Sequence, residues 1–159
     1  MNWSGVAAWV REHAPALHAA FLPPSGIEIG GVPPDLAAWW REFDGVDRAV
    51  LGDESPLLPL SWHPLDVVSA LRRRTRADRL PIAADCFDDA DLLFVDLHDG
   101  SVVTEETGRE WDRVTAMLDH VLRMFERNDD PVYRLLRYED GHINWDTRPT
   151  LTRGSHAVQ

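Results

Sequence analysis

Lysine is absent from this chain of 159 residues, so all 16 of its basic residues are arginines. The 27 acidic residues outnumber them, and the formal net charge is −11 at pH 7. A surface this negative repels phosphate groups, which argues against nucleic acid and against an anionic membrane as partners. It suits a basic protein, because opposite charges would steer the two molecules together.

Cysteine occurs once, and long apolar runs do not occur. The single Cys86 excludes an internal disulfide and a zinc site built from several cysteines, and its acidic neighbours disfavour the reactive thiolate. No apolar run approaches the about 20 residues that span a bilayer. The first residues lack the basic segment and apolar core of a secretory signal. We therefore expect a cytoplasmic protein with an unreactive thiol.

The signatures of common catalytic sites are missing as well. The chain has no nucleophile elbow, no paired-histidine zinc motif and no glycine-rich phosphate loop. His63 and His98 have no nucleophile signature beside them. The sequence thus predicts no catalytic residue, no metal and no cofactor, and favours a binding protein over an enzyme. A small hydrolase that uses Asp96, His98 and the acidic segment 85–91, with a metal or without one, is the competing prediction.

The patterns that are present predict one α+β domain over residues 1–146 and a polar, disordered tail at 147–159. Helical spacing marks the first residues and, most clearly, 111–125, whereas 80–85 and 91–97 are apolar enough for buried strands. Asp-Gly pairs predict hairpin turns at 99–100 and 140–141. Such short links predict a mixed, largely antiparallel sheet, flanked by N-terminal and C-terminal helices.

Residues 49–79 give weaker patterns. We predict an extended piece at 49–51 and then a helix that Pro64 opens, with Leu65, Val68 and Leu71 on its inner face. The arginine-rich end of that helix, 72–79, could bind nucleic acid, but cations also favour the C-terminus of a helix. Because the rest of the chain is acidic, a solvated helix end is the preferred interpretation.

The adjacent Trp39 and Trp40 are either a binding surface or part of the core. Together with Leu36 and Phe43 they have the spacing of one helix face, and Gly45 fits the left-handed position after the helix. Neighbouring side chains on a helix point about 100° apart, so at least one of the two rings should be well buried. We predict that both serve mainly the core.

The acidic segment 85–91 has three interpretations. Its four aspartates, Asp85, Asp88, Asp89 and Asp91, could coordinate calcium or magnesium. The spacing does not match an EF-hand, however, and no glutamate closes the loop. A solvated acidic turn and an acidic docking surface are the other two interpretations.

Asp96 lies at the end of the predicted central strand. Its side chain shares a face with Leu92 and Phe94, so it is a carboxylate in apolar company. Such a group must find hydrogen-bond donors or have its charge disfavoured. We predict a buried structural role for Asp96, with backbone N–H groups of a neighbouring turn as the donors.

The order of several short motifs resembles the SUKH superfamily, which includes bacterial toxin-immunity proteins and fungal cell-wall-assembly regulators. The resemblance covers residues 30 to 127. The matched motifs are Val32-Pro33-Pro34-Asp35-Leu36, Trp39-Trp40, Asp44-Gly45, Leu57–Leu60 as a strand, Leu80–Asp85, Asp91–Leu97, Gly100 with Val102 and Val103, and a final Trp-x-x-Val-x-x-x-Leu helix. The chain departs from the family at 86–89, where members usually have glycines.

The resemblance implies a sheet flanked by helices that binds another protein without catalysis. In bacterial members the partner is commonly a toxin domain, so we expect an immunity protein that neutralises a basic, nuclease-type toxin. A regulatory or scaffolding protein without a toxin is the alternative, and the tryptophan content would fit a homodimer. The residues expected to contact the partner are acidic: Asp44, Asp47, Glu54, Asp85, Asp88 and Asp89.

Overall fold

The computed structural model describes residues 2–52 and 55–149. Its helices are, in chain order, α1 Trp3–His13, α2 Pro15–Ala19, α3 Pro34–Glu42, α4 Arg48–Leu51, α5 Val67–Arg73 and α6 Val114–Arg127. Its strands are β1 Trp62–Pro64, β2 Arg79–Asp85, β3 Leu92–Asp96, β4 Val102–Thr104, β5 Gly108–Trp111, β6 Tyr133–Arg137 and β7 Ile143–Thr147. Within the described ranges, no helix is long and apolar enough to cross a membrane.

Five strands form one antiparallel sheet in the order β1-β2-β3-β4-β5, so every strand pairs with its neighbours in sequence. The central strand is β3, which is buried on both faces through Leu93, Phe94 and Val95. Strands β6 and β7 form a separate hairpin around Asp140-Gly141. The predicted α+β class, the antiparallel sheet and the two apolar strands are therefore confirmed.

The main core joins the helices to one face of the sheet. Trp39 and Trp40 of α3 are only 1% and 6% exposed, so both belong to this core, as predicted. The Trp39 ring lies 5.8 Å from the ring of Trp3 in α1 and 5.6 Å from that of Phe43. Helix α6 closes the core with its apolar face. The exposed fraction of Phe94 is also small, but its ring lies on the other face of the sheet from Leu93 and Val95.

Gly45 joins α3 to the sheet in a way that requires glycine. Its φ is +84°, the left-handed region predicted from the sequence. A Cβ atom at this position would lie 2.5 Å from the backbone nitrogen of Asp66. The helix that carries both core tryptophans is thereby placed directly against the segment that follows β1.

Several predictions for the middle of the chain are wrong. Residues 48–51 form helix α4 instead of an extended piece, because Asp47 caps it by accepting a hydrogen bond from the Ala49 N–H. The next helix starts at Val67, where Asp66 is the cap, and not at Pro64. This later start turns Val67 and Ala70 inward and leaves Val68 and Leu71 about 40% exposed.

Two further differences concern strands. Leu57–Leu60 is not a strand; it forms a turn with one isolated bridge from Leu58 to Trp62, and β1 begins at Trp62. Strand β5, with the sequence Gly-Arg-Glu-Trp, was not predicted from the sequence. It is an edge strand with mostly exposed side chains, so it lacks the apolar alternation of a half-buried strand.

The predicted tail begins inside the folded part of the chain. Thr147 is the last residue of β7, and the Arg148 backbone N–H donates a hydrogen bond to the Val132 carbonyl at 2.7 Å. The Arg148 side chain also donates to the Asp130 carbonyl at 2.6 Å. The rest of the predicted tail, 150–159, lies outside the described residues.

Candidate functional site

A groove of about 250 Å³ crosses the five-stranded sheet. Each strand of the sheet contributes to its lining, and β6 adds Tyr133. The apolar part of the lining consists of Pro59, which is buried, and of five half-buried residues: Leu60, Trp62, Leu92, Trp111 and Tyr133. The carboxylates around it are Asp85, Asp91, Glu105, Glu106 and Glu110. No arginine or histidine is among the described residues that line the groove.

Asp85 is fixed in the wall of the groove by three hydrogen bonds. Its carboxylate accepts from the Ser61 hydroxyl at 2.5 Å and from the backbone N–H groups of Phe87 and Asp88 at 2.7 and 3.1 Å. Burial by itself would raise the pKa of Asp85, but these hydrogen bonds outweigh burial and lower the pKa below its usual value. The group is therefore a fixed negative charge at neutral pH.

Tyr133 is half-buried near two carboxylates, of which Glu110 lines the groove. The pKa of Tyr133 is raised, first by burial and then by the charges of Glu110 and Asp130. Glu110 is exposed at the groove, where the Thr107 hydroxyl donates to it. The charges of these two carboxylates thus reach Tyr133, an aromatic residue of the groove lining.

Behind Trp111 runs a chain of hydrogen bonds that holds its ring. The indole Nε1–H donates to Nδ1 of His120 at 3.0 Å, and Nε2 of His120 lies 2.7 Å from the Asp130 carboxylate. With Nδ1 accepting from the indole, the ring proton must sit on Nε2 and point at Asp130. Both ring nitrogens are then occupied. The His–Asp pair therefore positions Trp111 and has no lone pair left for a general base.

Beside the groove, the guanidinium of Arg79 contacts both an aromatic ring and a carboxylate. The guanidinium carbon of Arg79 lies 4.0 Å from the centre of the Phe94 ring. The same guanidinium pairs with Glu105, which is one of the groove carboxylates. Arg79 thus makes a cation–π contact and an ionic contact at the same time, on the face of the sheet opposite Trp111.

The acidic segment 85–91 forms a compact loop beside the groove. The Asp85 N–H donates to the Asp91 carbonyl at 3.0 Å, which closes the base of the loop. Asp89 pairs with both Arg48 and Arg73, so its charge is largely compensated. Phe87 is 81% exposed at the tip. The loop therefore presents an aromatic ring on a braced backbone, with Asp88 exposed beside it.

The structure separates the six acidic residues that were predicted to contact a partner. Asp85, Asp88 and Asp89 lie together in the loop. Asp44 is only 8% exposed and accepts a hydrogen bond from the Val67 N–H at 2.8 Å, so it fixes the start of α5 inside the fold. Burial, the largest effect, raises the pKa of Asp44 despite that bond. Asp47 caps α4, and Glu54 lies outside the described residues.

Asp96 is half-buried rather than fully buried. Its carboxylate accepts from the His98 backbone N–H at 2.7 Å, which is the kind of turn donor that was predicted. The acidic loop lies at the opposite end of β3, about 16 Å away at 3.3 Å per residue. Asp96 and His98 therefore do not meet the loop carboxylates, and the site of the competing hydrolase prediction is not assembled.

The described residues contain no group of three or more His, Cys, Asp or Glu side chains arranged to hold a metal ion. Cys86, within the acidic loop, is buried and forms no disulfide. Two carboxylates of the acidic loop bind groups of the protein itself. Asp85 accepts hydrogen bonds from hydroxyl and backbone donors, and Asp89 pairs with arginines. These carboxylates are thus committed to bracing the loop.

The groove itself was not predicted from the sequence. Its lining comes from separate segments at 59–62, 85, 91–92, 104–107, 110–111 and 133, so no local spacing marks it. The run Thr-Glu-Glu-Thr-Gly-Arg-Glu at 104–110 was the available signal, because it places two carboxylates in the turn between β4 and β5 and a third in β5. Only the pairing of the strands from β1 to β5 brings that run beside Trp62 and Asp85.

Comparison with protein-family models, with curated proteins and with solved structures found no match for this chain.

Proposed function

We propose that this protein is a non-catalytic protein-binding module whose partner is a basic protein, and that it acts as an immunity protein for a nuclease-type toxin. The observation that carries the proposal is the acidic face formed by the groove and the loop 85–91. There, exposed carboxylates surround half-buried aromatic rings, as at protein interfaces, where aromatic residues are enriched.

The exposed Phe87 supports protein binding more than small-molecule binding. An aromatic side chain that is 81% exposed contributes little to folding, whereas its burial against a partner would remove a large apolar surface from water. Its backbone is braced by the Asp85 carboxylate and by the arginine pairs of Asp89. Because this backbone is already ordered, Phe87 loses less backbone freedom on binding, which favours affinity.

Charge supports a basic partner. The net charge of −11 and the carboxylates of the groove would speed association with a positive surface. An enzyme that acts on nucleic acid needs such a surface to hold phosphates, and a protein bound there would block its substrate. The resemblance to SUKH immunity proteins favours the same kind of partner.

The test is binding between the purified protein and the purified products of the genes adjacent to its own. We expect one basic product to bind and to lose its toxicity on co-expression. The association rate should fall by at least about tenfold when the salt concentration rises from low ionic strength to about 0.5 M, as for steered complexes. Binding by no neighbouring product, or binding that salt does not change, would contradict the proposal.

Two variants locate the contact face. Phe87→Ala should weaken the complex while leaving the free energy of unfolding unchanged, because the ring is exposed. Val132→Ala is the matched control, since Val132 is 52% exposed and lies outside the loop and the groove. Equal losses of affinity from both variants would show that the loop is not part of the interface. Several weak partners and no toxin would favour the regulatory or scaffolding alternative.

A further inference from the structure

The size of the groove limits what it can hold. Its volume of about 250 Å³ lies below the about 300–1,000 Å³ of pockets that enclose drug-sized ligands. A nucleotide or a cofactor would therefore protrude, whereas a long side chain from another protein fits. The half-buried rings of Trp62, Trp111 and Tyr133 offer apolar surface for the stem of such a side chain.

The chemistry of the lining selects a cation. Five carboxylates line the groove, and of these Glu105 is paired with an arginine of the chain itself. The faces of tryptophan and tyrosine rings attract cations because the ring quadrupole is negative at the face, and tryptophan attracts them most strongly. Aromatic rings and carboxylates thus favour the same occupant.

The fold supplies a template for that occupant next to the groove. Arg79 lies over Phe94, on the face of the sheet opposite Trp111, and pairs with Glu105, which also lines the groove. The groove offers the same two kinds of contact, with Trp62 and Trp111 in place of the phenyl ring, but without a cation from the described residues that line it. A planar guanidinium can stack on a ring and meet carboxylates at its edge at the same time, whereas an ammonium cannot stack.

We infer that the groove receives an arginine side chain from a protein partner, with its guanidinium against the indole rings of Trp62 and Trp111 and its N–H groups paired with Asp91 and Glu106. The inference rests on the proposed function for the source of the arginine, but the groove can be tested without that partner.

The probes are N-acetylarginine amide, hexa-arginine and hexa-lysine, and the readout is the NMR signal of each tryptophan indole N–H. N-acetylarginine amide should shift the signals of Trp62 and Trp111 and leave those of the buried Trp39 and Trp145 in place. At about 0.15 M salt, where charges are screened beyond about 8 Å, hexa-arginine should bind more tightly than hexa-lysine. The expected ratio is about two- to fivefold, because a guanidinium can stack on the rings and pair with the carboxylates at its edge, whereas an ammonium cannot stack.

Charge-neutral variants separate the groove from the general acidity of the chain. Glu106→Gln should weaken hexa-arginine binding by about two- to fivefold, the range for an exposed ion pair. Glu139→Gln removes the same charge at an exposed position outside the groove and should change little. Both positions are exposed, so neither variant should disturb folding. Equal effects of the two variants, equal binding of the two peptides, or unmoved indole signals would each overturn the inference.

The two proposals fail differently. If a neighbouring gene product binds but the arginine probes leave Trp62 and Trp111 unchanged, the groove assignment is overturned and the proposed function stands. If the probes bind in the groove and no neighbouring product binds, the arginine site stands and the immunity function is rejected.

Discussion

Two regions of this molecule are rich in tryptophan, and they differ in what surrounds the rings. In the core, Trp39 is 1% exposed and packs against the rings of Trp3 and Phe43. In the groove, Trp62 and Trp111 are half-buried and share their space with carboxylates. The same residue type therefore stabilises the fold where its neighbours are apolar, and offers an open ring face where its neighbours are charged.

The largest effect should come from truncating the core ring. Trp39→Ala should lower the free energy of unfolding by about 3–5 kcal/mol, the range for a fully buried large aromatic residue. Trp62→Ala should cost clearly less, because its ring is half-buried. Urea unfolding of both variants measures the difference. Equal losses of unfolding free energy would mean that Trp62 is also a core residue, which would contradict the difference between the two regions.

The next effect concerns the glycine that holds α3 in place. Gly45→Ala should destabilise the protein by more than the about 1–2 kcal/mol that a left-handed alanine costs, because its Cβ would also lie 2.5 Å from the Asp66 nitrogen. Gly26→Ala is the matched control: its φ is also positive, at +76°, but no atom lies within 4 Å of the added Cβ. Thermal unfolding of the two variants separates the steric clash from the cost of the left-handed backbone. Equal melting temperatures would show that the clash does not destabilise the protein.

The stability of the protein should depend on pH through Asp130, the carboxylate that holds His120 behind Trp111. Burial opposes ionisation of Asp130, but the hydrogen bonds from His120 and from the Tyr133 and Val132 N–H groups lower its pKa below the usual 3.8. The unfolded chain therefore binds the proton first as the pH falls. The stabilisation is fully present above about pH 4–5 and is lost as the pH falls through the pKa of the folded state.

Urea unfolding between pH 5 and the acid limit tests this effect. The free energy of unfolding of Asp130→Asn should fall less steeply with decreasing pH than that of the parent protein. Asp129→Asn removes a charge from the exposed neighbouring position and serves as the control. Parallel curves for Asp130→Asn and the parent protein would show that this carboxylate is not coupled to folding.

The smallest effect should come from releasing the acidic loop. Asp89→Asn breaks the ion pairs to Arg48 and Arg73, but these are partly exposed and are worth only about 0.2–1 kcal/mol each. The clearer change should be faster amide exchange at Asp91, whose N–H donates to the Asp88 carbonyl inside the loop. Asp146→Asn, which breaks an ion pair in the distant β6–β7 hairpin, should leave that exchange unchanged.

The sequence predicted the parts of the fold that apolar patterns determine. Strands β2 and β3 are continuous apolar runs, and α6 has a regular apolar face, so burial alone specifies them. The polar edge strand β5 has no such pattern, because it is defined by pairing with β4. The start of α5 was missed because the Asp66 cap, and not Pro64, sets it.

The candidate site was less predictable than the fold. Loop 85–91 was recognised from its composition, but its neighbours across the groove were not, because they depend on strand register. Asp44 shows the opposite difficulty: a carboxylate that looks available in the sequence is taken up by the backbone of α5. Acidity can be counted from the sequence, but which acidic side chains remain free depends on the fold.

The way in which loop 85–91 is held has a consequence for how its sequence can change. The Asp85 carboxylate binds residues 87 and 88 through their backbone N–H groups, and the base of the loop is closed by a backbone bond to Asp91. Any residue except proline supplies those N–H groups. The exposed side chain at 87 can therefore be exchanged, by evolution or by design, while the backbone that presents it stays the same, whereas the Asp88 carboxylate also holds the loop by accepting from the Ala90 N–H at 3.1 Å.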